Sequence, residues 1–409
     1  MKTSAIVLSV FLALLGCAAG PAWAAQNCAS PTQKGSLLIF PKIDVRMMTY
    51  GETCAQRDTI VRISNDSGTP VTVSCFWVNS ELDKTGFTFI LPGNVSGWFR
   101  ASDGLASFRL YNEVASFPVP FQINPITKRF YPSTGELKCF AVDADSGIPI
   151  SFNHLFGSAE VVEGESGFII YGYPSWNFTA RNVPLGYPVG QPGVLPLSGN
   201  NGDYDACPSY LTTEFQPTGL GGPGTEITLI PCKEDFRQDG GFLVTKALFD
   251  IFDMNGNKVG NAWKCVNTFF DDYLQNISPA VDPWTGFLVG AYGGPNFNLL
   301  GCGQDNGRLR VSAVASTVCE SPYYFNFWRD MVPSGTAPSG IPGSASAYYT
   351  ALGMGPTGSS TNTSFLGVVV KHGSHGGLFS KLPAGAGIDP TGKIIYDPFV
   401  GPITPESLK

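Results

Sequence analysis

No stretch of this chain sustains the 3.6-residue apolar period of a long helix. Short runs of alternation recur instead, cut by turn residues. Gly and Pro supply 49 and 32 of the 409 residues. Charged residues are only 14%, against about 25% in typical globular chains, and aromatics reach 12%. Such a chain can only fold as short strands linked by turns and long loops. The fold class is therefore all-β, read as two immunoglobulin-like or jelly-roll-like β-sandwich domains with long Gly/Pro-rich loops.

The runs can be named. Ser36-Leu37-Leu38-Ile39-Phe40 starts a strand that Pro41 ends. Thr59 to Ser64 and Val71 to Val78 alternate on either side of the turn signal Asn65-Asp66-Ser67-Gly68 and read as an antiparallel hairpin, with Val71, Val73, Cys75 and Trp77 on one face. Further strands fall at 86–91, 97–102, 135–142 and 167–173, while 151–162 suits a short helix or an irregular strand. In the second half, Glu226 to Cys232 is a strand end. Lys246 to Met254 and Lys258 to Val266 flank Asn255-Gly256-Asn257, a strong hairpin signal. Arg308 to Val318 and Thr363 to Lys371 complete the set. The domain reading is a signal peptide over 1–24, an N-terminal sandwich over 25–182, a Pro/Gly-rich linker or loop over 183–224, and a C-terminal sandwich over 225–409 with a long loop at 333–362.

The leader sets the compartment. Met1-Lys2, an apolar run from Ala5 to Leu15 and the small residues of Ala22-Trp23-Ala24 make an export signal cleaved before Ala25. Leu14-Leu15-Gly16-Cys17 offers the alternative of a lipidated Cys17, which would tether the chain through acyl groups. The expected location is extracellular, cell-surface or periplasmic. No later apolar run is long enough for a spanning helix. A net charge of −7, with no basic run interleaved with aromatics, speaks against nucleic acid and against general polyanion binding.

Ser36 to Pro41, Asp58 to Val61, Ser74 to Asn79, Gly135 to Cys139 with Asn153-His154-Leu155, and Thr228 to Cys232 followed by Phe249 to Phe252 together give the chain a likeness. It resembles a group of exported proteins of environmental Gram-negative bacteria that have no established activity. The resemblance implies an immunoglobulin-like β-sandwich and supplies no catalytic residue.

In an exported chain the cysteines point to disulfides. Cys75 and Cys139, both in strands and 64 residues apart, have the spacing of an immunoglobulin inter-sheet bridge, although Leu137 stands where a tyrosine corner would place Tyr. Cys232 with Cys265, and Cys302 with Cys319, are the further pairings expected. Beyond the leader nine cysteines remain, an odd number, so one thiol is left free or pairs between chains unless Cys17 is retained. No Cys-x-x-Cys occurs, which excludes a zinc ribbon and a thioredoxin-like site.

His372 and His375 could share a metal on a loop, but no third ligand stands nearby; a surface loop after a strand accounts for them. His154 reads as packed or hydrogen-bonded. The acidic turns Asp143 to Gly147 and Asp250 to Asn257 do not complete a calcium loop and read as hairpin turns. The acidic pairs Asp203/Asp205 and Asp271/Asp272 read as solvated loop residues. Gly219-Leu220-Gly221-Gly222-Pro223-Gly224 fits Gly-x-Gly-x-x-Gly but runs into a strand, not a helix, so it does not hold a pyrophosphate. There is no nucleophile elbow and no Walker loop. No catalytic, metal or cofactor site is assigned.

Two functions follow. One is an exported non-enzymatic β-sandwich protein acting in cell-surface structure, adhesion or assembly, with another surface protein or a glycan as partner. The alternative is a secreted carbohydrate-active or other hydrolase using a carboxylate pair, with Trp98, Trp176, Trp263, Trp284 and Trp328 available to stack sugars.

Overall fold

The structure is a computed structural model. It describes residues 28–50, 53–80, 84–107, 122–123, 130–131, 133–163, 168–208, 210–215, 225–232, 245–252, 256, 258–266, 269–277, 307–314, 364–373, 376–381, 387–388, 394–397 and 401–402. The first-half strands are β1 (Leu37–Asp44), β2 (Met47–Tyr50), β3 (Thr53–Asn65), β4 (Val71–Asn79), β5 (Lys84–Leu91), β6 (Val95–Arg100), β7 (Gln122–Ile123), β8 (Phe130–Tyr131), β9 (Thr134–Val142), β10 (Leu155–Glu163), β11 (Phe168–Pro174) and β12 (Trp176–Phe178). The second half contributes β13 (Tyr210–Phe215), β14 (Thr225–Pro231), β15 (Thr245–Phe252), β16 (Lys258–Val266), β17 (Phe270–Tyr273), a one-turn α1 (Leu274–Ile277), β18 (Gly307–Val314), β19 (Phe365–Gly373), β20 (Gly376–Lys381), β21 (Gly387–Ile388), β22 (Ile394–Asp397) and β23 (Gly401–Pro402).

The protein is all-β. One first-half sheet runs β12-β1-β9-β4-β5; the other runs β11-β10-β3-β2, with β6 also on β3. The second half has sheets β13-β18-β15-β16 and β17-β14-β19-β20. Every paired strand in these four sheets is antiparallel. Alternation explains the first core. Val71, Val73, Cys75 and Trp77 of β4 all point inward, as expected, and meet Val61, Ile63 and Phe99 from the facing sheet. Trp77 packs edge-on against Phe99 at 5.8 Å.

Some local expectations change. Pro41 does not end the first strand, which runs on through it to Asp44. Residues 59–64 and 71–78 do not form a hairpin. β3 pairs with β10 and β6, whereas β4 pairs with β5 and β9. The turn at 66–70 is an arch that carries the chain from one sheet to the other, because both strands have an apolar face to bury in the same core. Asn65 braces it, donating from Nδ2 to the carbonyls of Thr69 and Pro92 and accepting from the Ser67 amide at 2.8 Å. Of the stretch 151–162, read as a short helix or an irregular strand, the part from Leu155 onward is strand, in β10. β15 and β16 pair as the expected hairpin, Thr245 with Val266 through Phe252 with Lys258, with Gly256 between them at φ +80°; Asn255 and Asn257 lie outside the described residues.

Residues 183–208 are a packed strap. Val189, Leu195, Leu197 and Tyr204 are buried, and the amides of Ser151 and Val189 donate to the carbonyls of Tyr187 and Pro149. Gly190 sits at φ +85°, where a Cβ would lie 2.7 Å from the Val194 carbonyl oxygen. The strand β13 follows directly, within the stretch read from sequence as linker or loop.

The two halves share their cores. One apolar cluster joins Leu37, Ile39, Phe140 and Trp176 to Leu229, Phe249 and Leu366; the other takes Val368 and Val370 of β19 in with Leu38, Phe40 and Tyr173. The Trp176 indole donates to the Gly367 carbonyl at 3.1 Å across this joint. Accordingly β1 and β14 are buried along their whole length, on both faces.

Candidate functional site

The densest polar chemistry among the described residues lies in this joint, and β1 builds it. Leu38 and Phe40 face the first core. Pro41 lacks the N–H a ladder needs, and the register with β9 shifts between Phe40 and Ile43. The shift reverses the phase of the strand. Ile43 and Val45 now point into the first core, Lys42 turns toward the second half, and Asp44 is buried beside Arg46 and Arg57.

There Lys42, fully buried, places its ammonium 3.0 Å from Glu226 Oε1 of β14 and 2.6 Å from Asp271 Oδ1 of β17. It also donates to Thr228 Oγ1 at 3.0 Å. Glu226 and Thr228 lie on one face of β14, and Asp271 is the register partner of Thr228 on β17. Arg46 closes the ring. Its guanidinium reaches Asp44 Oδ2 at 2.6 Å, Glu226 Oε1 at 2.9 Å and Asp271 Oδ2 at 3.0 Å. Arg57 of β3 adds a contact to Asp44 Oδ2 at 3.1 Å. The Tyr173 hydroxyl donates to the Lys42 carbonyl, and the Tyr171 ring lies 5.9 Å from the ammonium.

Three cations thus face three carboxylates, and the cluster is neutral as a whole. Burial alone would raise the Asp44 carboxyl, but Arg46, Lys42 and Arg57 hold it below the usual carboxylate range. Burial pushes Asp271 up, Lys42 and Arg46 oppose it, Glu226 adds to it, and the net is upward. Burial would lower Lys42, yet Asp271 and Glu226 outweigh it, so the ammonium stays charged. Burial and the three carboxylates keep the Tyr171 phenol neutral.

Glu226 and Asp271 are near enough for the pair of carboxylates that a glycosidase sets about 5–10 Å apart. The space between them is filled by the Lys42 ammonium, and their side chains are only 3% and 7% exposed. The arrangement is suited to holding two sheets in one register; a bond to be cut has no place between these carboxylates.

The residues singled out from sequence fall elsewhere. Cys75 and Cys139 are bridged, but as directly opposed partners on neighbouring strands β4 and β9, with Cα atoms 4.1 Å apart. The bridge is therefore within one sheet and not between two, which departs from the immunoglobulin pattern. Such a separation is that of a non-hydrogen-bonded pair, where side chains come closest. Cys232 is bridged to Cys207, not to Cys265. It follows β14 directly, whereas Cys265 belongs to β16 in the other second-half sheet. The Cys265 side chain, Cys302 and Cys319 lie outside the described residues, as does the loop at 333–362. Cys28 is a free thiol, pushed up to about 11 by burial and by Asp205.

His154 donates from Nδ1 to the Asp66 carboxylate, 3.0 Å away, and its ring lies edge-on to Phe152. His372 lies on β19; its side chain and His375 are outside the described residues. Asp143 caps its own turn, accepting from the Ser146 amide and hydroxyl. Asp205 and Asp271, expected in solvent, are withdrawn from it: Asp205 is buried and accepts from Gln33 Nε2 and the Thr179 amide, and the Asp271 side chain is only 7% exposed. Trp176 is buried, Trp98 is half-buried and Trp263 is exposed, while Trp284 and Trp328 are outside the described residues. Among the described residues no group of three or more His, Cys, Asp or Glu side chains could hold a metal, and no helix is long and apolar enough to cross a membrane.

Sequence reading passed over Lys42, Arg46, Glu226 and Asp271 as a set. One signal was present: Lys42 and Asp44 interrupt an apolar strand in a chain with few charges. No protein-family model matches the chain, and comparisons with curated proteins and with solved structures found no significant similarity.

Proposed function

We propose that this is an exported, non-enzymatic β-sandwich protein serving as a structural or recognition subunit at the cell surface or in the periplasm. The observation that carries the reading is the joint. A neutral six-residue ionic cluster, buried except for the partly exposed Arg46, and two shared apolar cores unite four sheets. Two disulfides add to it, as suits an oxidising compartment. A stiff body of this kind supports contact surfaces on its outer faces and loops. An immunoglobulin-like or jelly-roll-like origin of each half belongs to this reading, as does cleavage of the leader before Ala25.

The rival is the hydrolase that would use a carboxylate pair. Cell fractionation with N-terminal mass analysis of the native chain, and a turnover screen on polysaccharides, esters and peptides, separate the two. The proposal expects an exported chain beginning near Ala25 and no turnover. Activity abolished by one carboxylate substitution in a protein that stays folded would overturn it.

A further inference from the structure

The outer face of the sheet β13-β18-β15-β16 has a character the whole chain lacks. Ala247, Phe249 and Ile251 of β15, with Leu309 and Val311 of β18, point into the core, so Lys246, Leu248 and Asp250 of β15 and Arg308 and Arg310 of β18 lie on the other face, up to the register shift that buries Phe252. Register then brings together residues that are far apart in sequence. Trp263 stands opposite Leu248, and Arg310 stands opposite Asp250. Trp263 is 46% exposed, and the Lys246 ammonium lies over its ring, 4.3 Å from the centroid.

Asp250 organises the cations beside it. It is 1% exposed, covered by Lys258, whose ammonium is 2.5 Å from Oδ1, and by Arg310, whose Nε is 3.0 Å from Oδ2. Arg308, one outward position along β18, is only loosely held by Glu214 at 3.9 Å. The face therefore carries Lys246, Lys258, Arg308 and Arg310 against Asp250 and Glu214, an excess of cations on a chain of net charge −7.

We infer that this face binds an acidic polysaccharide, a glycan bearing carboxylates along its length. The inference rests on the reading of the protein as a recognition subunit and names its ligand class. Charge complementarity selects an anionic partner, since the rest of the molecule is acidic and repels one. The exposed indole selects a ligand with flat, weakly polar faces, which sugar rings offer and acidic peptides do not. A carboxylate draws the Lys246 ammonium off the ring and a sugar face takes its place, while Lys258 and Arg308 meet the next anionic groups along the chain.

The test is equilibrium binding of the full mature chain to polygalacturonate, with an uncharged β-glucan, poly-glutamate and single-stranded DNA as comparisons. Binding to polygalacturonate that weakens with salt, and at least tenfold loss in each of Trp263→Ala, Lys246→Ala and Arg308→Ala, is the expected result. Arg62→Ala, on a sheet of the first half, should bind as the parent does. Trp263 and Arg62 are exposed, Lys246 is half-buried and the Arg308 side chain is 14% exposed, so circular dichroism and thermal unfolding check that each variant is folded. Failure to bind polygalacturonate, equal binding of poly-glutamate or DNA, or full binding by Trp263→Ala would each overturn the inference. Cleavage of the polysaccharide is a separate readout: tight binding with turnover would refute the non-enzymatic reading and leave this surface standing, and no binding with no turnover would do the reverse.

Discussion

Replacing Lys42 by Met tests the joint at its centre. Methionine has nearly the same length and removes only the ammonium. That ammonium is fully buried and serves Glu226, Asp271 and Thr228 at 2.6–3.0 Å. Its loss leaves two buried carboxylates sharing the Arg46 guanidinium, with one uncompensated negative charge in the joint. Breaking a buried pair from one side costs about 3–5 kcal/mol, where an exposed pair costs about 0–1. The range is comparable with much of the stability of an ordinary domain. Urea unfolding followed by tryptophan fluorescence reads it, since Trp77 and Trp176 are fully buried in the two cores. A double-mutant cycle with Asp271→Asn sharpens the test, because removing the stranded charge should return about 1–3 kcal/mol of the loss. If Lys42→Met costs less than about 1 kcal/mol, or if the two changes add without coupling, the joint is not held by this cluster and the reasoning fails.

Removing the Cys75–Cys139 bridge, which spans 64 residues, should cost about 4 kcal/mol, and removing Cys207–Cys232, which spans 25, about 3.5 kcal/mol. Peptide mapping without reductant should find both pairs protected from alkylation, and labelling of Cys75 or Cys232 would count against the framework. Gly190→Ala should destabilise by about 1–3 kcal/mol in thermal unfolding, because φ is +85° and the new Cβ meets the Pro196 ring at 2.6 Å; an unchanged midpoint would show that the strap is not fixed as described. Stability should peak at mildly acidic pH. Burial raises the carboxyls of Asp58 and Asp205, so protonating them as pH falls from neutrality favours the folded chain. Asp44 is held low by Arg46, Lys42 and Arg57 against burial, and Asp250 by Lys258 and Arg310 against burial, so their stabilisation is present above about pH 4 and is lost below it. A urea midpoint that falls steadily from pH 8 downward would contradict this.

What was legible in the sequence follows from the range of each interaction. Alternation is local, so the faces of β4 and the hairpin at Gly256 could be read directly. The partner of a strand is not local. The turn at Asn65 looks the same whether the chain folds back beside itself or arches over the core, and the second outcome won because β3 and β4 bury facing sides of one sandwich. The Cys75–Cys139 spacing was informative, yet its meaning changed from an inter-sheet to an in-sheet bridge for the same reason. The Lys42 cluster joins residues up to 229 positions apart, and only the phase reversal at Pro41 aims them at each other. The basic face at Trp263 likewise draws on three separate strands, so a net charge of −7 concealed it.

Scanning calorimetry of the protein tests the central claim most directly, that the Lys42 cluster welds the two halves into one body. The account predicts one cooperative transition, with calorimetric and van't Hoff enthalpies equal, and still one transition, at a clearly lower midpoint, in Lys42→Met, because the shared cores remain. Two independent transitions in the parent protein, unmoved by that substitution, would contradict it.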